Sequence, residues 1–265
     1  MSVDSVLAPL ADRYAHWLGL DAAQVLADRE EAAHDIRAMQ LVLRMERSDP
    51  PSWHRAVALA AGGAAAICLD ERSEPGGEWH DAVADYVRGH IRKVTRRARG
   101  AHWAAAQDLP GLTIEAAGTQ VRVLVPGPAA DLDPRISRLQ VGGTEVPADD
   151  PPAPDSVDGL HLWVPAGIPM TVGKAMAQAG HAGMICAALL GRAGDAGRDR
   201  LAGWRDRGYP VTVQRVGPAD WAALGRPLGE DQAVAWARRG LLAVRDAGFT
   251  EVEPGTITVV ARAPR

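Results

Sequence analysis

The C-terminal part of the chain alternates short apolar runs with longer stretches that have helical character. Residues 159–167 (GLHLWVPAG) are an apolar run that ends in Gly, which predicts a buried strand. The next stretch predicts a helix from Gly173 to about Leu190. Residues 210–216 (PVTVQRV) are rich in β-branched side chains and predict a second strand.

The end of the chain adds a further helix and a pair of strands to this pattern. Residues 231–248 place apolar residues among good helix formers, which predicts a helix that closes at Gly248. The residues after it predict two strands around the turn Pro254–Gly255. The order strand, helix, strand, helix, strand, strand predicts an α/β fold with a mixed sheet covered by helices.

The N-terminal part repeats this plan. A strand candidate (MQLVLRMER) and an Ala-rich helix follow one another within residues 39–69. Without gaps, His54–Ile67 aligns with Gly173–Cys186, and residues 110–124 align with 247–261 through Gly and Thr pairs. Two matches in the same order indicate an internal duplication.

The two halves differ in their polar residues. In the alignment Lys174, Gln178 and His181 stand opposite Arg55, Leu59 and Gly62, and Asp246 stands opposite Leu109. If the duplication is real, the second half kept a polar constellation that the first half lost. An acidic, proline-rich stretch separates the halves and predicts a linker. The predicted units are a helical segment (1–35), a degenerate copy (36–147), the linker (148–158) and an intact copy (159–265).

Composition places the chain among globular proteins, with 47% hydrophobic and 23% charged residues. Cys68 and Cys186 lie in Ala-rich segments, which favours buried thiols, no disulfide and a reducing compartment. No stretch is long and apolar enough to cross a bilayer, so we expect a cytoplasmic protein without membrane contact. The net charge is −4, yet a basic run without acids lies at 88–99 (RGHIRKVTRRAR).

The helix from Gly173 carries the most informative polar residues. Lys174, Gln178 and His181 recur at i, i+4 and i+7, so they lie along one stripe of a helix whose other residues are mostly Ala and Gly. A solvated polar stripe is the structural alternative. Lysine usage favours a functional stripe, because Lys93 and Lys174 are the only two lysines and arginine supplies the other positive charge.

Several common sites do not fit the sequence. The GK pair lacks the spacing of a phosphate-binding loop, since Ile168 and Ala175 occupy positions where that motif needs Gly and Ser or Thr. There is no HExxH, CxxC or GxSxG motif, so we predict no metal, no cofactor and no serine nucleophile. Hydrolysis by an activated water remains the simplest chemistry for this set.

Two separated motifs carry a family resemblance. GKAMAQAGHAG at 173–183 and RDAGFTEVEPGTITVVARAP at 245–264 resemble the type 2 peptidyl-tRNA hydrolases over roughly residues 159–265. The resemblance implies a mixed four-stranded sheet flanked by helices and cleavage of the ester that joins a peptide to the 3′ ribose of tRNA. The functional residues that it implies are Lys174, Gln178, His181, Asp246, Thr250 and Thr258. Either His181 or Asp246 acts on the attacking water.

A tRNA substrate would give the basic run a role. We expect the following residues to contact tRNA phosphates, which gives salt-dependent binding without sequence specificity: Arg92, Lys93, Arg96, Arg97 and Arg99. The degenerate copy predicts a pseudo-dimer within one chain, with a homodimer as the alternative. The rival functions are a non-catalytic RNA-binding protein on the same fold and an enzyme that cuts another ester or amide.

Overall fold

The computed structural model describes residues 5–27, 35–142, 145–150, 158–248 and 251–265. Within these ranges each half of the chain forms one sheet with its own helices. The first half contains α1 (Ala8–Trp17), α2 (Ala22–Ala27), β1 (Arg37–Arg44), α3 (Trp53–Cys68), α4 (His80–Arg88), β2 (Arg92–Ala98), α5 (Gly100–Gln107), β3 (Gly111–Ala116), β4 (Thr119–Leu124), β5 (Gly127–Pro128) and α6 (Pro134–Ser137). The second half contains β6 (Leu160–Pro165), α7 (Val172–Arg192), α8 (Gly194–Asp206), β7 (Val211–Val216), α9 (Pro218–Glu230), α10 (Gln232–Arg239), β8 (Leu241–Arg245) and β9 (Ile257–Arg262).

Both sheets are mixed and share one topology. The strand order is β2-β1-β4-β3 in the first sheet, with β5 beside β1, and β7-β6-β9-β8 in the second. The pairs β1/β2 and β6/β7 are parallel, and the other neighbours are antiparallel. The predicted α/β fold with a mixed four-stranded sheet is confirmed, and two units of equal topology fit a duplication.

The helices α3 and α7 begin with equivalent caps. The hydroxyl of Ser52 accepts a hydrogen bond from the backbone N–H of Arg55 at 3.2 Å, and that of Thr171 accepts one from Lys174 at 3.1 Å. Such caps satisfy a backbone donor that has no partner inside the helix. The ungapped alignment pairs Ser52 with Thr171, so the caps agree with its register.

The two halves meet where α3 packs against α7. A Cβ built on Gly183 would lie 2.1 Å from the carbonyl oxygen of Ala61, and one on Gly180 would lie 3.5 Å from the Cβ of Ala64. In the alignment Ala61 corresponds to Gly180 and Ala64 to Gly183. The contact between Gly183 and Ala61 is therefore the counterpart of the contact between Ala64 and Gly180 when the two halves are interchanged. This reciprocity is the pattern of an isologous two-fold interface.

The edge strands follow the same reciprocity. Strand β2 of the first sheet packs on α7, and strand β7 of the second sheet packs on α3. Each half therefore covers the long helix of the other with its parallel edge strand, and residues of β2 lie close to the stripe predicted on α7.

The helix predicted for 231–248 is wrong in its second half. Helix α10 ends at Arg239, Gly240 adopts a left-handed conformation with φ of 62°, and Leu241 begins β8. A glycine in this conformation is a common helix stop, and Leu241 and Leu242 are buried in the second sheet. Asp246 therefore follows a strand and not a helix.

The alignment of 110–124 with 247–261 fails in its first part. Gly111 pairs with Leu124 inside β3, whereas Gly248 lies beyond the end of β8. The reason is loop length: two residues connect β3 to β4, whereas the connection from β8 to β9 covers 246–256. Leu109 is therefore not the counterpart of Asp246. The two strands predicted around Pro254–Gly255 are also wrong, because the described residues of 246–256 contain no strand.

The start of the predicted linker is attached to the first half. One carboxylate oxygen of Asp149 lies 2.7 Å from Nδ1 of His54 and accepts its backbone N–H at 3.2 Å. Residues 151–157 lie outside the described ranges, so the boundaries at 148 and 158 stay predictions.

Candidate active site

Four polar side chains meet in a buried cluster between α7 and the second sheet. Lys174 Nζ donates to Asp246 Oδ2 at 2.5 Å, and Gln178 Nε2 donates to the same oxygen at 2.7 Å. Thr258 Oγ1 donates to Gln178 Oε1 at 2.6 Å. None of the four residues is more than 9% exposed, so these hydrogen bonds form in a site with little water.

The secondary structure explains why these side chains meet. Lys174 and Gln178 lie one turn apart near the start of α7, so both point to the same side. Thr258 is the second residue of β9, where its hydroxyl faces α7 and lies 3.3 Å from the carbonyl oxygen of Val244. The stripe predicted from helical spacing is thus turned into the fold and not toward solvent for these two residues.

The loop after β8 holds Asp246 from both its backbone and its side chain. The backbone N–H of Asp246 donates to Thr256 at 2.9 Å, and its carbonyl oxygen accepts from Gly255 at 2.7 Å. Its Oδ1 accepts the N–H of Gly248 at 2.7 Å. Gly248 has φ of 81°, and a Cβ there would lie 2.3 Å from Pro254 Cγ, so the loop requires glycine at this position.

His181 lies one turn beyond Gln178, at the border between the cluster and the first half. Its ring is partly buried, and it makes no side-chain hydrogen bond with the residues that the structure describes. Burial, followed by the positive charges of Lys93 and Lys174, lowers the pKa of the imidazole well below its ordinary value. The neutral form of His181 is therefore favoured, with a ring nitrogen able to accept a proton or a hydrogen bond.

Of the six residues implied by the family resemblance, four form the cluster and His181 borders it. The sixth, Thr250, lies outside the described residues. Their assignment as catalytic residues stays a prediction.

Four of the five residues predicted to bind RNA lie on strand β2, Arg99 follows it, and their side chains point in different directions. Arg96 is buried, and its guanidinium group donates to Gln40 Oε1 and to the carbonyl oxygen of Leu139, both at 2.8 Å. Lys93 is turned toward α7 and donates to Tyr86. The guanidinium group of Arg96 is thus engaged inside the first half, and an RNA contact from it would break these internal hydrogen bonds.

The remaining arginines lie nearer to solvent. Arg92 and Arg97 are partly exposed, and Arg99 is exposed. Arg97 and Arg99 line a cleft of about 580 Å³ at the end of β2. The other charged or titratable residues of this cleft are Glu46, Arg47, His102 and Arg138. With four arginines against one carboxylate, the cleft carries net positive charge.

Two residues next to the cluster were not predicted to lie there: Glu251 was not singled out, and Lys93 was expected to contact RNA. Glu251 accepts the backbone N–H of Thr171 at 2.9 Å and its hydroxyl at 2.9 Å, which fixes the closing loop to the start of α7. Helix starts need acceptors, so an acidic residue in a nearby loop was a usable signal. The position of Lys93 beside His181 had no sequence signal apart from the scarcity of lysine.

Among the described residues, no helix is long and apolar enough to cross a membrane, and no group of His, Cys, Asp or Glu could hold a metal ion. No curated protein matches the chain. The model of the peptidyl-tRNA hydrolase PTH2 family matches residues 160–265, a range that begins with β6 and contains the whole buried cluster. The second half of this chain therefore is a domain of the peptidyl-tRNA hydrolase PTH2 family.

Proposed function

We propose that the protein hydrolyses the ester bond between a peptide, or an N-acylated amino acid, and the 3′ ribose of tRNA. The observation that carries this proposal is the buried cluster of Lys174, Gln178, Asp246 and Thr258 inside the domain matched by the family. Burying an ion pair costs desolvation energy, and apolar residues would serve packing at least as well. A cluster kept at this cost supports a chemical role.

Asp246 acts as the residue that positions its neighbours. Its carboxylate accepts hydrogen bonds from Lys174, Gln178 and Gly248. Oδ2 accepts two of these hydrogen bonds and Oδ1 accepts the third, so both oxygens are engaged inside the fold. Its contribution is to fix the ammonium group of Lys174 and the amide of Gln178.

His181 is the better candidate for binding the attacking water. Its ring is neutral, partly accessible and next to the cluster. A ring nitrogen can accept a hydrogen bond from water and orient its lone pair toward the ester carbonyl. The proton released during attack then passes to the ring or through it to solvent.

Lys174 stabilises the negative charge that develops on the carbonyl oxygen. Donors held in place before the reaction are most effective in sites with little water, where they do not need to reorganise. The hydrogen bonds that Lys174 donates to Asp246 and to the capping hydroxyl of Thr171 hold the start of α7 in this way. Gln178 and Thr258 keep Asp246 in register with Lys174.

The arginine cleft of the first half is suited to bind phosphates of the same tRNA. Thr95 Oγ1 donates to the carbonyl oxygen of Gly173 at 2.8 Å, which places the middle of β2 beside the start of α7. Arg97 lies two residues further, about 7 Å along the strand. Arg97 and Arg99 can therefore contact the RNA backbone while the 3′ end lies at the cluster. Such contacts give binding that weakens steeply with salt.

Both halves of the proposed assembly belong to one chain. The reciprocal packing of α3 on α7 supports a pseudo-dimer that needs no second copy. We expect a monomeric mass from light scattering at micromolar concentration. A stable dimer would contradict this part of the proposal and favour the homodimer.

The test is release of N-acylated amino acid from N-acyl-aminoacyl-tRNA by the purified full-length protein. We expect multiple turnovers by the wild type and strong loss in Asp246→Asn and His181→Ala. Arg205→Gln, a change at a partly exposed residue of α8, serves as a control that should retain activity. Salt-sensitive tRNA binding without turnover would overturn the enzyme and leave the RNA-binding protein as the function.

A further inference from the structure

The chain contains two lysines, and the structure places both of them around one histidine. Lys174 lies on the same helix as His181, two turns earlier, and is engaged by Asp246. Lys93 comes from β2 of the first half, and its charge also acts on His181. The family match does not include Lys93, because it begins at residue 160.

The side chain of Lys93 packs directly against α7 at Gly180. A Cβ on Gly180 would lie 2.7 Å from Lys93 Cδ and 2.9 Å from Cε, so any larger residue would displace the lysine. Its ammonium group donates to the hydroxyl of Tyr86 and to the carbonyl oxygen of Ile91, each at 3.3 Å. Tyr86 is fully buried and donates in turn to the carbonyl oxygen of Arg92 at 3.0 Å.

We propose that Lys93 is a positioning residue of the candidate active site: its side chain lies against Gly180, the residue before His181 on α7, and its charge opposes the uptake of a proton by the His181 ring. This inference rests on the proposed function for its catalytic meaning. Its physical content, an interaction of Lys93 with His181 across the interface of the two halves, stands independently of substrate.

Two charged groups act on His181, those of Lys93 and Lys174. The other titratable groups near Lys93 and His181 are either neutral or engaged by a partner. Asp246, in the loop after β8, is engaged by Lys174. Cys68 on α3 and Tyr86 on α4 lie on the Lys93 side, and both are neutral at pH 7. Burial raises the pKa of Cys68 to about 12 and that of Tyr86 well above its ordinary value.

The expected effect of Lys93 is confined to the acid side of neutrality. Burial lowers the pKa of the Lys93 ammonium group to about 7, so the charge is present below that pH and is lost above it. An ordinary histidine takes up its proton in this same acid range. Lys93 therefore adds to the effect of burial in keeping His181 neutral in this range.

The experiment follows the His181 ring by NMR titration of the full-length protein, with the signal assigned by its absence in His181→Gln. We expect a midpoint well below that of a free histidine in the wild type. Lys93→Met should move the midpoint upward by on the order of one pH unit. The acid limb of kcat/KM should move by the same amount, with little change in rate at pH 8, and Lys93→Arg should restore both.

Two further variants separate the proposal from a structural effect. Gly180→Ala keeps the lysine but displaces it, and we expect a shift in the same direction even if Lys93→Met folds poorly. Arg92→Gln removes a neighbouring charge of β2 and should leave the midpoint unchanged. An unshifted midpoint in folded Lys93→Met and Gly180→Ala would overturn the proposal. If the wild type shows no turnover but the His181 midpoint still shifts in Lys93→Met, the proposed function is refuted and the Lys93–His181 interaction is retained.

Discussion

The two long helices α3 and α7 begin with the same kind of cap, but α7 binds the buried Asp246 through Lys174 and Gln178, whereas α3 binds Asp149 through His54. Where α7 and β9 have Gln178 and Thr258, the alignment gives α3 and β4 Leu59 and Val121. Leu59 and Val121 are both buried, and the first sheet keeps the same strand order as the second. An apolar pair is therefore sufficient to hold such a helix on its sheet, so packing does not explain the cluster of the second half.

The largest difference in activity between equivalent variants of the two halves is expected at Lys174. In Lys174→Met, Asp246 loses its ion-pair partner and the developing oxyanion loses its donor. We expect hydrolysis of N-acyl-aminoacyl-tRNA to fall by a factor on the order of 10²–10³. Arg55→Met changes the aligned residue of α3 and should keep activity near wild type. Equal losses in both variants would contradict the assignment of the site to the second half.

The next largest effect is expected where the helices touch. In Gly183→Ala the new Cβ would meet the carbonyl oxygen of Ala61 at 2.1 Å, and backbone cannot move aside like a flexible side chain. We expect the free energy of unfolding to fall by about 3 kcal/mol, measured by urea denaturation.

Gly191→Ala is the matched control on the same helix. A Cβ at Gly191 would have an ordinary contact of 3.7 Å with Leu201 Cδ2. Alanine has the higher helix propensity, so this variant should gain up to about 1 kcal/mol. If Gly183→Ala were as stable as the control, the close packing of the two halves would be refuted.

Much of the fold could be predicted because periodicity and end signals are local. The caps at Ser52 and Thr171 and the start of both Ala-rich helices follow from a few residues. The stop at Gly240 is equally local, but helix formers on both sides of Gly240 continue the helical pattern, and this is why a helix end at Gly248 is predicted from the sequence. The strand character of 241–245 comes from burial against β9, which is a property of the assembled sheet.

The candidate site was predictable only in part, for the same reason. Helical spacing brings Lys174 and Gln178 together, and the family motif adds Asp246 and Thr258. Lys93 is distant in sequence from His181 and belongs to the other half. Its place beside the ring arises from the packing of β2 on α7, which no local pattern encodes.

A smaller effect is expected at Thr258, inside the buried cluster. Thr258→Val makes the second half resemble the first, where Val121 occupies the aligned position. The buried Oε1 of Gln178 then loses its donor, which should cost about 1–2 kcal/mol of unfolding free energy. We expect turnover to fall about tenfold, because a mispositioned Gln178 loosens Asp246.

The reverse change, Val121→Thr, is the control for Thr258→Val. It buries a hydroxyl in the first half, so it should cost stability on the order of 1–3 kcal/mol while activity is retained. Loss of activity in Val121→Thr at a temperature where the protein remains folded would show that the first sheet also contributes to catalysis.

The smallest effect concerns the two caps, where the halves are most alike. Ser52→Ala and Thr171→Ala each remove the acceptor for a backbone N–H at the start of a helix and should each cost about 1 kcal/mol. Thr171 also donates to Glu251, but this contact is exposed and adds little. Denaturation should therefore report similar losses, whereas turnover should fall only in Thr171→Ala, since that cap holds the turn that carries Lys174. A similar fall in Ser52→Ala would mean that the start of α3 takes part in the reaction, against the asymmetry between two helices that are otherwise built alike.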